Sequence, residues 1–117
     1  MFESWQNMSS NSYKVLMNVV ISSLNEAQAR RVQKELLEID PDLSFSPCRE
    51  QESLNEAIEF RVSGQADEEQ KEALIHRLNN AWDKDEDDEF YWAYGFNTKM
   101  FDPKVYYLEL EFMPIKK

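Results

Sequence analysis

The sequence predicts an α+β domain in which two amphipathic helices cover one face of an antiparallel sheet. Three observations carry that expectation. Residues 13–22 are apolar on nearly both faces, as a central strand would be. Two later stretches place apolar residues at helical spacing directly after N-cap signals. Two runs near the C-terminus, 90–98 and 105–113, read as strands on either side of an Asp102-Pro103 turn signal.

The first strand (YKVLMNVVIS) is rich in β-branched residues. Ser23-Leu24-Asn25-Glu26 reads as a capping box, with Ser23 as the cap and Glu26 three residues on. The helix it opens runs to about residue 39, with Ala29, Val32, Leu36 and Ile39 on one stripe. Asp40-Pro41 stops it, because proline disfavours the helical conformation at the residue before it. Residues 43–47 are a short strand with Leu43 and Phe45 alternating, and 49–56 are a polar connection. Residues 57–63 form a clearer strand. Ile58, Phe60 and Val62 face one way and Ala57, Glu59 and Arg61 the other, so one side is expected to be wet. Gly64 ends that strand, and Asp67 with Gln70 caps a second helix whose buried stripe is Leu74, Leu78, Ala81 and Trp82. The aromatic run 90–98 (FYWAYGFNT) and the run 105–113 then make a hairpin with a long loop. On the last strand Tyr106, Leu108, Leu110 and Phe112 share one face, and Val105, Tyr107, Glu109 and Glu111 the other.

With right-handed crossovers and short hairpins, this order of elements resembles a ferredoxin-like β-α-β-β-α-β sheet with an added C-terminal antiparallel strand and both helices on one face. The likeness is architectural and implies no activity. Residues 13–117 make one domain, and residues 1–12 a polar arm in which Phe2 and Trp5 suggest docking on the domain or on a neighbouring chain.

The 117 residues suffice for a core without metal or disulfide support. Cys48 is the only cysteine, so no intrachain disulfide can form, and a reducing cytoplasm is the simplest compartment. The first residues lack the basic and apolar regions of a secretory signal, and no apolar run approaches a membrane span. The net charge is −10, and residues 50–89 carry all of it: fourteen acidic side chains there stand against four basic ones, while the rest of the chain balances. Such a field repels nucleic acid and anionic lipid and attracts basic protein surfaces.

Asp83, Asp85, Glu86, Asp87, Asp88 and Glu89 crowd the end of the second predicted helix, at the negative pole of its dipole, where carboxylates are unfavourable. The run reads either as a solvated charge patch or as a surface that meets a basic partner. Asp83, Asp85 and Asp87 match the first ligand positions of a calcium loop, but Asp88 and Tyr94 stand where the loop needs glycine and a bidentate glutamate. His76 falls about 200° round the helix from Leu74, away from the buried stripe, and nothing brings it to Cys48. Tyr94-Gly95-Phe96 is similar over three residues to the RNP1 motif of RNA-recognition domains, but it lacks the leading basic residue and sits in an acidic chain. Alternation can place Tyr91 and Tyr107 on the open sheet face beside Glu59, Glu109 and Glu111, with Trp92 in the same hairpin.

No pattern of catalytic residues, cofactor or metal emerges. The expectation is a non-enzymatic acidic protein-binding module, of an inhibitor or immunity type acting on a basic, nucleic-acid-binding protein. Its partner-binding residues would be Asp83, Asp85, Glu86, Asp87, Asp88, Glu89, Tyr91, Trp92, Tyr107, Glu109 and Glu111, with no contact to nucleic acid or membrane. The alternative is a dimer through the open sheet face, of α+β-barrel type, holding a small molecule or a small enzyme's substrate in an aromatic pocket.

Overall fold

A ten-residue strand at the centre of a sheet needs partners of matching length on both sides to satisfy its backbone. In the computed structural model, which describes residues 12–51, 54, 56–87 and 89–115, β1 (Ser12–Ile21) has them. It pairs antiparallel along its whole length with β4 (Ile58–Asp67) and from Tyr13 onward with β7 (Val105–Pro114). The short strands β2 (Ser44–Phe45) and β3 (Arg49–Glu50) lie on the outer side of β4. Beyond β7 come β6 (Phe90–Tyr94) and β5 (Asp83–Lys84). The result is a seven-stranded antiparallel sheet in the order β2-β4-β1-β7-β6-β5, with β3 also on β4.

Two helices complete the α+β fold, α1 (Glu26–Ile39) and α2 (Glu68–Leu78). Ala29, Val32 and Leu36 of α1 and Leu74 and Leu78 of α2 join one core cluster with Tyr13, Val15, Met17, Val19 and Ile21 of β1. These odd-numbered residues of β1 define the helix-covered face; Lys14, Leu16, Asn18 and Val20 point the other way.

The strand order differs from the expected one. The C-terminal strand is not an outer addition: β7 sits directly beside β1, and the aromatic strand lies outside it. Length explains this. The ten residues of β7 match β1, and Leu108, Leu110 and Phe112 are fully buried, whereas β6 has only five residues.

The remaining differences are local. The cap of α1 is Asn25, whose side chain accepts from the Ala27 amide; Ser23 accepts from the Asn25 amide instead, one turn outside the helix. The 43–47 strand shrinks to Ser44 and Phe45. Strand β4 runs through Gly64 to Asp67, because β1 pairs with it that far, and Asp67 then caps α2 in a reciprocal capping box with Gln70. Helix α2 stops at Leu78, so Ala81 and Trp82 are not on its stripe. Buried Asn79 takes over there, accepting from the Ala81 amide at 2.8 Å and donating to the Thr98 hydroxyl at 2.7 Å. Trp82 packs from the following loop, its indole N–H donating to the Ile75 carbonyl at 2.7 Å. A bulge opposite Val20 and Ile21 turns Val105 into the core and takes Tyr106 out of the Leu108–Leu110–Phe112 row. Ser12 already belongs to β1; Phe2, Trp5 and Asp88 lie outside the described residues.

Candidate functional site

The register sorts the face away from the helices into rows that cross the sheet. One row reads Arg61, Asn18, Glu109, Trp92 and Asp83; the next reads Ser63, Leu16, Glu111 and Phe90; a third reads Glu59, Val20, Tyr107 and Tyr94. Trp92, Tyr107, Glu109 and Glu111 therefore share this face. Tyr91 does not. It sits beside Leu110 on the helix side, 6% exposed, in edge-to-face contact with Trp82 and Phe112. The strand alternates as expected, but its phase is set by pairing with β7, which sequence alone left open.

On the open face Phe90 and Trp92 lie with ring centroids 5.5 Å apart. At the other end of β6 Tyr94 gathers Tyr107 at 4.7 Å, Phe96 at 5.3 Å and Tyr106 at 6.3 Å. Phe96 is 69% exposed, an unusual fate for a phenylalanine. Tyr107 donates to Glu109 at 2.7 Å; burial and that carboxylate push its hydroxyl well above the ordinary phenol value. The tight turn after β6 depends on Gly95. A Cβ there would stand 2.3 Å from the Val105 carbonyl, where the Gly95 amide donates to Tyr106 at 2.7 Å. That packing gives Tyr94-Gly95-Phe96 a structural reason with no nucleic acid in it.

A groove of about 430 Å³ crosses the same face. Leu16 and Asn18 form its floor, with Arg61, Ser63 and Ser44 on one side and Phe90, Glu109 and Glu111 on the other. The side-chain oxygen of Asn18 is buried and has no donor among the described residues. Glu59, expected to be wet, is only 5% exposed: Arg49 reaches it at 3.1 Å from β3, and Gln51 donates to its other oxygen.

The acidic run departs from the expected helix end. Helix α2 is over before it begins, so the dipole penalty does not apply. Asp83 and Lys84 form β5, and the chain turns back into β6 through a tight connection. The Asp85 carboxylate accepts from the Glu89 and Phe90 amides at 3.2 and 3.4 Å, and the Asp85 amide donates to the Phe90 carbonyl at 3.1 Å. The Glu89 carbonyl accepts from Phe112 at 2.8 Å, which ties the tip to β7. Asp83, Asp85, Glu86 and Asp87 are all exposed on this edge hairpin. Because Asp85 turns its carboxylate onto its own backbone, the loop is built as a turn. Among the described residues no group of three or more His, Cys, Asp or Glu is placed to hold a metal ion.

Elsewhere, Arg31 on α1 clamps the long β6–β7 connection by a two-pronged contact to Asp102, at 2.7 and 3.1 Å, and Asp102 also accepts from the Lys104 amide at 2.8 Å. Asp102 is 2% exposed. Burial pushes its carboxyl up, but the hydrogen bonds from Arg31 and the Lys104 amide outweigh this and hold it below the ordinary value. Its neighbour Glu35, by contrast, is pushed up to about 7 by burial and by its hydrogen bond with Asp102. His76 is exposed and meets Glu72 at 3.1 Å, while Cys48 lies by Gln33, its thiol raised by burial. The two share no site.

Sequence reasoning did not assign Arg61, Asn18, Phe90, Tyr94, Phe96 or Glu35 to a site. The phase of β6 and the bulge in β7 decide the aromatic residues, and only the fold brings Arg61 level with Glu109 or Glu35 to Asp102. What the fold and surface define is an antiparallel α+β domain with one sealed face, one open aromatic and charged face, and an acidic edge hairpin. The chain matches no protein-family model, no curated protein and no solved structure. Among the described residues no helix is long and apolar enough to cross a membrane.

Proposed function

We propose that the protein is a non-catalytic binding module that meets a basic protein surface with its acidic edge hairpin. The observation that supports this is the placement of Asp83, Asp85, Glu86, Asp87 and Glu89 on one short hairpin, fixed by backbone bonds at the sheet edge with Phe90 and Trp92 beside it. Exposed carboxylates on a fixed support steer a cationic partner, and flanking aromatics supply contact area once it arrives. The finer form of this reading is an inhibitor or immunity-type protein, because a surface that binds nucleic acid must itself be basic. The frame is read as a ferredoxin-like sheet in which β7 takes the place after α2 and the β5-β6 hairpin is the addition; that likeness is architectural. A reducing compartment suits the lone Cys48.

The test compares the wild-type protein with a variant carrying Asp83→Asn, Asp85→Asn, Glu86→Gln, Asp87→Asn and Glu89→Gln, each used to capture proteins from host lysate at low and moderate salt. The expected result is a basic protein retained by the wild type, released as salt rises and not retained by the variant. Identical capture by both proteins would overturn the reading.

A further inference from the structure

The groove residues leave one question open: what neutralises the charges that face each other across β1. Arg61 stands on β4 and Glu109 and Glu111 on β7, with Asn18 level with Arg61 and Glu109, and Leu16 level with Glu111. Among the described residues Arg61 is exposed with no carboxylate partner and Glu111 has no cation. The Asn18 oxygen between them is buried without a donor. The cation and the two carboxylates flank the same strand, one strand spacing to either side of it.

We infer that this face is the contact surface of a homodimer, two copies packing sheet to sheet about a two-fold axis parallel to β1 and passing over Asn18. Such an axis exchanges left and right across β1. It lays β4 of one copy over β7 of the other, so each Arg61 meets the partner copy's carboxylates at 109 and 111, and the contact occurs twice. The two Asn18 side chains meet on the axis, where each amide nitrogen can donate to the oxygen that lacks a donor. Leu16, on the same strand and face, also lies on the axis and meets its own copy, and Phe90, Trp92 and Tyr107 fill the space between sheets that pack about 10 Å apart. The other in-plane axis, across the strands, would set Arg61 against Arg61 and carboxylate against carboxylate. Charge therefore selects one orientation. The acidic hairpins, three strands out from β1, fall on opposite flanks of this dimer. The hairpin carboxylates stay exposed in this dimer, whereas Phe90 and Trp92 are shared between the two contacts, so loss of the dimer would leave the carboxylate contact proposed above standing.

The experiment is sedimentation equilibrium over rising protein concentration, with circular dichroism as a check on folding. The wild type is expected to approach twice the chain mass of 13.9 kDa. Arg61→Glu alone and Glu109→Arg with Glu111→Arg together are each expected to remain monomeric. Mixing these two variants restores opposite charges at both contacts and should give a one-to-one dimer. A wild type that stays monomeric, single variants that still dimerise, or folded variants that do not associate on mixing would each overturn the proposal.

Discussion

Tyr91 and Trp92 are consecutive residues of one strand, yet they belong to two different molecular surfaces. Tyr91 lies on the face that α1 and α2 seal, where Val15, Val19, Leu108, Leu110 and Phe112 are fully buried. Trp92 lies on the face that mixes aromatic rings with Arg61, Glu109 and Glu111. The covered face follows the packing rules of an interior, apolar and dense. The open face instead sets aromatic rings and Arg61 among carboxylates. Strand alternation thus divides one short segment between the sealed core and the open face.

Substitutions should separate the two roles. The largest loss is expected from Leu110→Ala, which empties a fully buried site and should cost about 3 kcal/mol in urea unfolding. Trp92→Ala, one strand away on the open face, should cost about 1 kcal/mol or less in dilute solution. Next comes Asp102→Ala. It leaves the Lys104 amide without its acceptor and frees α1 from the β6–β7 connection, at about 2 kcal/mol. The two glycines sharpen the contrast further. Gly95→Ala drives a methyl group into the Val105 backbone and should cost about 2 kcal/mol. Gly64→Ala meets only the end of the Leu43 side chain, at 2.9 Å, and its effect should lie within about 0.5 kcal/mol.

A separate effect is a pH slope on the covered side. The Glu35 carboxyl has a folded-state pKa of about 7, above the ordinary 4.5. Between those values the folded chain holds a proton that the unfolded chain has released, so Glu35 makes stability fall as pH rises from 4.5 to 7. Asp102 is shifted the other way and acts only below its ordinary 3.8, outside that window. Glu35→Gln should flatten the unfolding midpoint across the interval. An unchanged slope in that variant would assign the titration to another group.

How much of this was legible depended on whether the signal was local. The buried stripes of both helices, the Asp67–Gln70 cap and the alternation of Leu108, Leu110 and Phe112 all follow from residues near one another in sequence, and the chain spells them out. What could not be read depends on distant pairing. β4 continues past Gly64 because β1 holds it there, and β7 displaces β6 from the centre because it is twice as long. The aromatic strand alternates whichever way it pairs, so Tyr91 could be placed on the open face until its partner Leu110 was known. Ala81 and Trp82 continued a helical pattern that Asn79 interrupts by bonding across to Thr98, a contact spanning nineteen residues. The groove likewise assembles Asn18, Arg61 and Glu109 from three separate strands.

The division of labour between the two faces is tested most directly by the urea unfolding midpoint measured as a function of protein concentration, for the wild type and for Trp92→Ala. If the open face acts through association, the wild-type midpoint rises with concentration, because a folded dimer is stabilised by mass action, while the Trp92→Ala midpoint stays level and meets the wild-type value at high dilution. A wild-type midpoint that ignores concentration, with Trp92→Ala several kcal/mol less stable at every dilution, would instead make the open face a second core of the same chain.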